Sequence, residues 1–452
     1  MSVKFILADR ETPYLFPPSI QDYLPEDHLA RFIVEIVDNL DLSHFSLAYS
    51  GKGSKPYHPS VLVAVLFYGY ATGIFSSRRL EKACKDSIAF HYICSNTYPD
   101  HDTIAHFRKR FLKKLEALFV KILLVAEGMK IVKLGNISLD GTKIKANASK
   151  HKALSWDYAN KLEAQLKKEV KELMRLAEEA DKDSQSEAFN IPEELKRRET
   201  RLLAIAQAKQ EIQKRAQIRD THAQEKYEEK KARREAYEAE SGKKARGKNP
   251  VSPEPGPKPK DQVNLCDEES RIMPTSGGGF EQCYNAQAGV DVETHLIVEQ
   301  HVSQQSNDKQ EMKPALDKIA ALPEALGEAK NLLADAGYFS ESNVNLCQQS
   351  EIKALIPEKR EKHNLSLKER FKTEPQAPDH PSPLEAMKHR MLTKEGKQLY
   401  AKRKSTVETV FGIIKQALGF RQFLLRGLNA VQGEWSLVCI GWNLKRMHAL
   451  KG

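Results

Sequence analysis

Between residues 153 and 262 the chain carries 25 basic and 22 acidic side chains, and its apolar residues fall on narrow seams. Such a stretch cannot bury a core of its own, so the rest of the chain must fold around it as an insertion. Leu162, Leu166, Val170 and Leu173 make one seam and Leu195, Leu202, Ile205 and Ile212 another, with a turn read into DKDSQSEAFNIP between them. The spacing predicts two long helices folded back on each other. Their interleaved charges form a solvated face in which i,i+4 pairs contribute only a few tenths of a kcal/mol each. The closing segment SGKKARGKNPVSPEPGPKPKDQ is too rich in Pro, Gly and Lys to pack. It is expected to be extended and mobile, a plain linker rather than a phosphate contact.

What flanks this insertion is long enough for one or two further domains, since the whole chain has 452 residues. A net charge of +10 favours a polyanionic partner, although spread over this length it is a mild field. No C-x-x-C pair occurs among the six cysteines, so neither a zinc site nor a disulfide framework is indicated, and a reduced cytosolic protein is expected. The start MSVKFILADRE lacks the apolar core of a signal peptide. Val61 to Phe75, the longest apolar stretch, is shorter than the roughly 20 residues a membrane span needs and reads as a buried helix opened by Pro59 and Ser60.

Residues 1 to about 130 read as helical throughout. SSRRLEKAC begins one helix, and another is expected to start near Asp102 and Thr103, with Ile104, Phe107, Phe111, Leu118 and Ile122 as its core face. Residues 101–133 hold eight Lys or Arg, among them Arg108, Lys109 and Arg110, against three acids. This is the composition of a helix that contacts phosphates in helix-turn-helix fashion, and equally that of a solvated helix face.

Beyond the linker the pattern becomes α/β. FEQCYNAQAGVDV and THLIVEQHV read as adjacent strands, EMKPALDKIAALPEAL as a helix, and NLLAD and IKALIP as short strands. Residues 359–392 are charged and Pro-broken, and from about Thr393 a long helix carries Val407, Val410, Phe411, Ile414 and Leu418. Counting NISLD as the first strand, three acids then stand at the ends of three elements: Asp140, Asp335 and Glu408. Carboxylates converging in this way can hold two magnesium ions roughly 3.5 to 4 Å apart for phosphodiester cleavage.

Each acid also has a plainer explanation. Asp140-Gly141 is a hairpin-turn signal, and Asp335 in ADAGY has turn chemistry of its own. Lys404, Glu408, Gly412 and Lys415 lie along one helical stripe, where a structural Glu-Lys pair suffices for the charges. Gly412 interrupts a good helix at about 1 kcal/mol relative to Ala, and a gap for a closely approaching backbone or ligand accounts for it. Asn285 and Gln287 in CYNAQAG read as satisfied sheet-edge amides rather than as DNA contacts.

The blocks SLDGTKIKANAS, DEESRIMPTSGGGFEQCYNAQAGVD, LLADAGYFS and the motif of Tyr400, Arg403, Glu408, Phe411, Gly412 and Lys415 resemble those of DDE transposases of bacterial insertion sequences. The likeness extends to LPEDHLARFI, YPDHDTIAHFRKRF, GFRQFLLRGL and WNLKRM, and so covers nearly the whole chain outside the insertion and the 359–392 loop. It implies an all-α N-terminal DNA-binding domain (1–130) and an α/β ribonuclease H-like catalytic core with a mixed sheet (131–152 and 263–452). A long helical-hairpin insertion (153–262) separates the two parts of the core.

The resemblance further implies that Asp140 bridges two Mg²⁺ ions, for which Mn²⁺ can substitute, while Asp335 ligates one ion and Glu408 the other. Tyr400, Arg403, Lys404 and Lys415 then hold the DNA backbone. A related motif in neighbouring families spaces Arg and Glu by three residues, whereas four separate Arg403 from Glu408 here. The implied reaction is hydrolysis at the element's terminal inverted repeats followed by attack of the freed 3′-hydroxyl on target DNA. The enzyme would act as a homo-oligomer on DNA, in the bacterial cytoplasm and at the nucleoid, without a membrane. Two alternatives stand beside it: a transposase-derived protein that binds DNA without cutting, and a ribonuclease H-like nuclease or resolvase of another system.

Overall fold

The computed structural model describes residues 19–49, 55–180, 191–275, 277–359, 376 and 378–451. The chain divides into two compact units, one of Met1–Ile144 with Asn285–Gly452 and one of Lys145–Tyr284. Among the described residues there are eight strands: β1 (Asn136–Lys145), β2 (Ala153–Ser155), β3 (Gln262–Asn264), β4 (Arg271–Pro274), β5 (Phe280–Asp291), β6 (Ile297–Ser303), β7 (Asn331–Leu333) and β8 (Lys353–Leu355).

In the first unit, the helix Pro59–Ala71 is apolar on every side and is buried almost completely. Pro59 fills its first position, where no amide donor is needed, and the His58 ring accepts from the Ser60 N–H. The helix His101–Gly128 begins one residue before the expected cap, with Asp100 accepting from Thr103. Ile104, Phe107, Phe111, Leu118 and Ile122 form its buried face as expected.

The helix Leu428–Lys451 runs through this unit with Gly433 to Leu444 buried throughout. Gly433 lets Leu112 pack against its backbone, and Gly441 does the same for Tyr70 and Ala71. On β6, the Asn443 amide accepts from the Ile297 N–H at 2.8 Å and donates to its carbonyl at 2.7 Å. One helix thus joins the early helices to the sheet.

That sheet is mixed. β7 lies parallel to β1 and to β8, β5 neighbours β1, and β6 runs antiparallel to β5 from Asn285↔Ser303 to Gly289↔Glu299. Two stretches of the chain differ from their sequence pattern. Within 359–392, Pro383–Leu392 is a helix with Ser382 and Glu385 forming a capping box. The long helix expected from Thr393 is broken: Lys394–Ser405 ends at Thr406 (φ −100°, ψ −95°), Val407–Gly412 follows, and one π turn closes it over Ile413–Ala417. Among the described residues no helix is long and apolar enough to cross a membrane.

In the second unit, β4 pairs antiparallel with Phe280–Cys283 of β5, and β2 pairs with β3. The helices Trp156–Ala180 and Ile191–Ser241 pack through Ala159, Leu166, Ile205, Ala208 and Ile212, with Leu162 and Leu202 at the margin. Most of the turn expected between them, 181–190, lies outside the described residues. The Pro/Gly-rich segment is extended as expected, but it is laid back along the second helix. Arg234 donates to the carbonyls of Ala245 and Lys248, Arg219 to Gly256 O and Asp261, and Asp220 accepts from the Gly256 N–H. Much of that backbone takes its hydrogen bonds from the helix's charged side chains.

Candidate active site

β1 runs straight through Asp140 and Gly141, so this Asp-Gly pair makes no hairpin turn. Its glycine serves close packing instead. A Cβ at Gly141 would strike the Gln287 amide, the Asp308 carboxylate and the Asn285 amide, all of which press on the strand beside Asp140.

Asp140 is mostly buried, its side chain 16 % exposed. Burial pushes its carboxyl up to about 7, and the nearby charges of Asp335 and Asp308 add to the rise. Opposing them are the Arg403 guanidinium, 2.8 Å away, and the Gly141 N–H, which donates at 2.9 Å.

Arg403 also reaches Glu408 at 2.8 Å, so one guanidinium spans two of the three acids. On an unbroken helix, residues five apart point about 140° away from each other. The break at Thr406, whose hydroxyl donates back to Lys402 O at 2.7 Å, brings Arg403 and Glu408 to the same side. Lys404, the partner the stripe suggested for Glu408, is exposed and makes no ion pair with it. Gly412 is exposed with open space where a Cβ would stand, so among the described residues no other segment's backbone packs against it. Burial of Arg403 opposes its charge, but Asp140, Tyr400, Asp335 and Glu408 hold its pKa above the ordinary value. Its Nε is buried without a partner.

Asp335 follows β7 and caps the single turn Ala336–Tyr338, with Oδ1 accepting from the Gly337 N–H at 2.8 Å. Turn chemistry therefore does hold it, and its charge is nevertheless felt at Asp140 and Arg403. The acids of β1, of the turn after β7 and of the broken helix share one electrostatic neighbourhood. Among the described residues no three His, Cys, Asp or Glu side chains stand close enough to clasp a metal ion. The donor chemistry still suits a hard dication, because two carboxylates share one guanidinium with the charge of a third nearby, and the more buried of the two is left poorly neutralised.

The cations named from the sequence are placed unevenly. Lys415 Nζ donates to Lys143 O at 3.0 Å, and Tyr400 packs against Val292, Leu333 and Leu355. Arg108 is interior, with its guanidinium donating to Tyr70 Oη at 3.1 Å and Phe75 O at 3.0 Å. Lys109 is exposed, as is Arg110, which lies 5.1 Å from the ring centres of Tyr49 and Phe111.

Asn285 and Gln287 sit inside the sheet rather than at its edge, fully buried, and donate to Asp308 Oδ1 at 2.7 and 2.8 Å. Asp308 escaped the sequence reading because an Asn-Asp pair in a polar loop signals only a turn. The signal available was the polar pair itself, two amides two residues apart and so on one face of the strand.

A family model described as a transposase domain (DUF772) matches residues 18–110, and one described as a transposase DDE domain matches residues 255–444. The second match contains Asp335 and Glu408, and Asp140 lies outside both. No curated protein and no solved structure matched the chain. With both models matching, together over more than half of its length, the chain belongs to the DDE transposases of insertion sequences.

Proposed function

We propose that this chain binds the terminal inverted repeats of its element, hydrolyses phosphodiester bonds there and transfers the 3′-hydroxyl ends to target DNA. The observation that carries this reading is the link from Asp140 through Arg403 to Glu408, with the charge of Asp335 beside it. In this reading Asp140, Asp335 and Glu408 would together hold the Mg²⁺ or Mn²⁺ ions. Bound there, the ions supply an activated water and charge stabilisation for the leaving oxygen.

The chain's own residues prepare that site. Asp140, whose carboxyl burial pushes up, has to be deprotonated, and Arg403 has to release both carboxylates. Once released, Arg403 becomes available to a phosphate, alongside Lys404, Lys415 and Tyr400. Lys109 and Arg110, on the exposed side of their helix, contact the backbone without reading sequence.

A ribonuclease H-like core is supported by the strand arrangement, with β6 and β5 antiparallel on one side of β1 and β7 and β8 parallel on the other. Within it we assign 131–152 and 263–452 to the core, 1–130 to DNA binding and 153–262 to an arm. Assembly of two or more copies on DNA follows from the need to join two ends.

The test is cleavage of DNA carrying the element's own ends by the purified chain with Mg²⁺ or Mn²⁺, beside Asp335→Ala. Metal-dependent cuts at the ends that fall to background in Asp335→Ala are expected. Binding without cutting by the unsubstituted chain would turn the reading to a DNA-binding protein in which Arg403 keeps the two acids permanently occupied.

A further inference from the structure

Asp308 stands against the strand of Asp140 and belongs to none of the sequence motifs that named the three acids. Three donors converge on its Oδ1: the Asn285 amide at 2.7 Å, the Gln287 amide at 2.8 Å and Lys143 Nζ at 3.4 Å. Gln287 continues the chain of contacts, because its Oε1 accepts from the buried hydroxyl of Tyr338. Tyr338 ends the single turn that Asp335 caps, and Lys143 and Gly141 belong to the strand of Asp140. The network therefore ties the element carrying the first acid to the element carrying the second.

The loop that presents Asp308 is held at both ends. Glu311 accepts from Ser303 Oγ at 2.8 Å and pairs with His301 at 2.9 Å, and the Asn343 amide donates to Lys309 O at 2.9 Å and Tyr338 O at 2.7 Å. Gly141 has no side chain, so the Asp308 carboxylate and the two amides touch the strand directly. Asn285 Oδ1, fully buried, has no protein partner and lies in the same contact. Two buried amides directed at one carboxylate leave little freedom, since moving Asp308 would strip both of their acceptor.

Resting on the metal-dependent reading above, we propose that Asp308 is a positioning residue of the cleavage site: through Gln287 and Tyr338 it fixes the spacing between Asp140 and Asp335, and so the affinity for the divalent cation. It acts by accepting hydrogen bonds, not by lending its charge to the ion. Outer partners that orient metal-binding carboxylates typically cost 10–100-fold in metal affinity when removed.

The test measures Mn²⁺ binding to the full chain without DNA, by the electron paramagnetic resonance of free Mn²⁺, with the unfolding midpoint recorded in parallel. Asp308→Ala is expected to weaken binding by about 10- to 100-fold. Asp308→Asn keeps an acceptor oxygen for the amides and loses only a charge that Lys143 already pairs with, so it should bind much closer to the unsubstituted level than Asp308→Ala does. Tyr338→Phe, which removes one hydroxyl from the far end of the network, should shift affinity in the same direction with little change in midpoint, and keeps the test open if Asp308→Ala fails to fold. The double variant should bind no worse than Asp308→Ala alone, because the two act through one path.

Unchanged affinity in both Asp308→Ala and Tyr338→Phe overturns the inference while leaving the proposed function in place. Asp308→Asn as weak as Asp308→Ala also overturns it, making the carboxylate itself a ligand. No Mn²⁺ binding by the unsubstituted chain overturns the metal reading and this inference together.

Discussion

Arg198 in the helical arm and Arg403 at the site each hold two carboxylates, Arg198 those of Glu169 at 2.9 Å and of Glu194, Arg403 those of Asp140 and Glu408, both at 2.8 Å. The acids respond in opposite ways. A hydrogen bond from Gln165 and then one from Arg198 hold Glu169 below the usual carboxylate range, and Arg198 does the same for Glu194. Asp140, by contrast, is pushed up to about 7 despite its arginine.

Solvent and neighbours account for the difference. The arm's acids are about a third exposed, so water shares in solvating them, while Asp140 is 16 % exposed and has Asp335 and Asp308 close by. A charge pair near water is satisfied by one partner, whereas a group of acids out of water is not. The surplus at the site is a standing demand for more positive charge.

The sharpest way to break this comparison is through pH. A carboxyl whose folded pKa lies above its unfolded value contributes stability that is fully present below about pH 4 and is lost as the pH rises through 7. At about 1.4 kcal/mol per unit the loss approaches roughly 4 kcal/mol. Asp140→Asn, which mimics the protonated form, should therefore match the unsubstituted chain near pH 4 and exceed it by a few kcal/mol at pH 8 in metal-free denaturant unfolding. A stability difference that stays flat from pH 4 to pH 8 would mean that Asp140 is not the strained group.

Arg403→Met comes next. Removing one partner of a buried ion pair typically costs about 3 to 5 kcal/mol, and the lower end applies because Asp140 can take up a proton and Glu408 is nearly half exposed. Adding Mg²⁺ should return part of the lost stability, since a dication answers the same demand. If Mg²⁺ stabilises Arg403→Met no more than it stabilises the unsubstituted chain, Arg403 is not standing where positive charge is needed.

What the sequence revealed of these two regions follows from how local each signal is. The seam residues Leu162, Leu166, Ile205 and Ile212 repeat at helical spacing and meet as expected, because neighbours along the chain decide that packing. Asp335 and Glu408 stand near the ends of their elements, which short apolar runs mark, whereas Asp140 lies inside β1, where the Asp-Gly pair suggests an end that the strand does not have. The break at Thr406 is only faintly readable, since the β-branched Thr406, Val407, Thr409 and Val410 weaken a helix without placing a break, and the gain lies in carrying Arg403 to Asp140, 263 residues away in sequence. Arg108 misleads for a similar reason. Its charge suggests the surface, and only Tyr70 and Phe75, 38 and 33 residues earlier, make room for it inside. Asp308 meets Lys143 across 165 residues, a pairing that no window along the chain contains.

The smallest effect completes the comparison. Arg198→Met removes the arm's counterpart of Arg403, yet its partners keep access to water and Glu169 keeps the Gln165 amide at 2.8 Å. The apolar contacts of Ala159, Leu166, Ile205 and Ile212 that join the two helices are untouched. Its unfolding midpoint should be indistinguishable from that of the unsubstituted chain, and what little it changes should vanish at about 1 M salt, where screening falls to about 3 Å. The Arg403 substitution should stay costly in the same salt, because solvent ions reach a buried pair poorly. If Arg198→Met proved as damaging as Arg403→Met, or if salt erased both effects equally, burial would not be what separates the two clusters, and the demand for a cation at Asp140 would lose its physical basis.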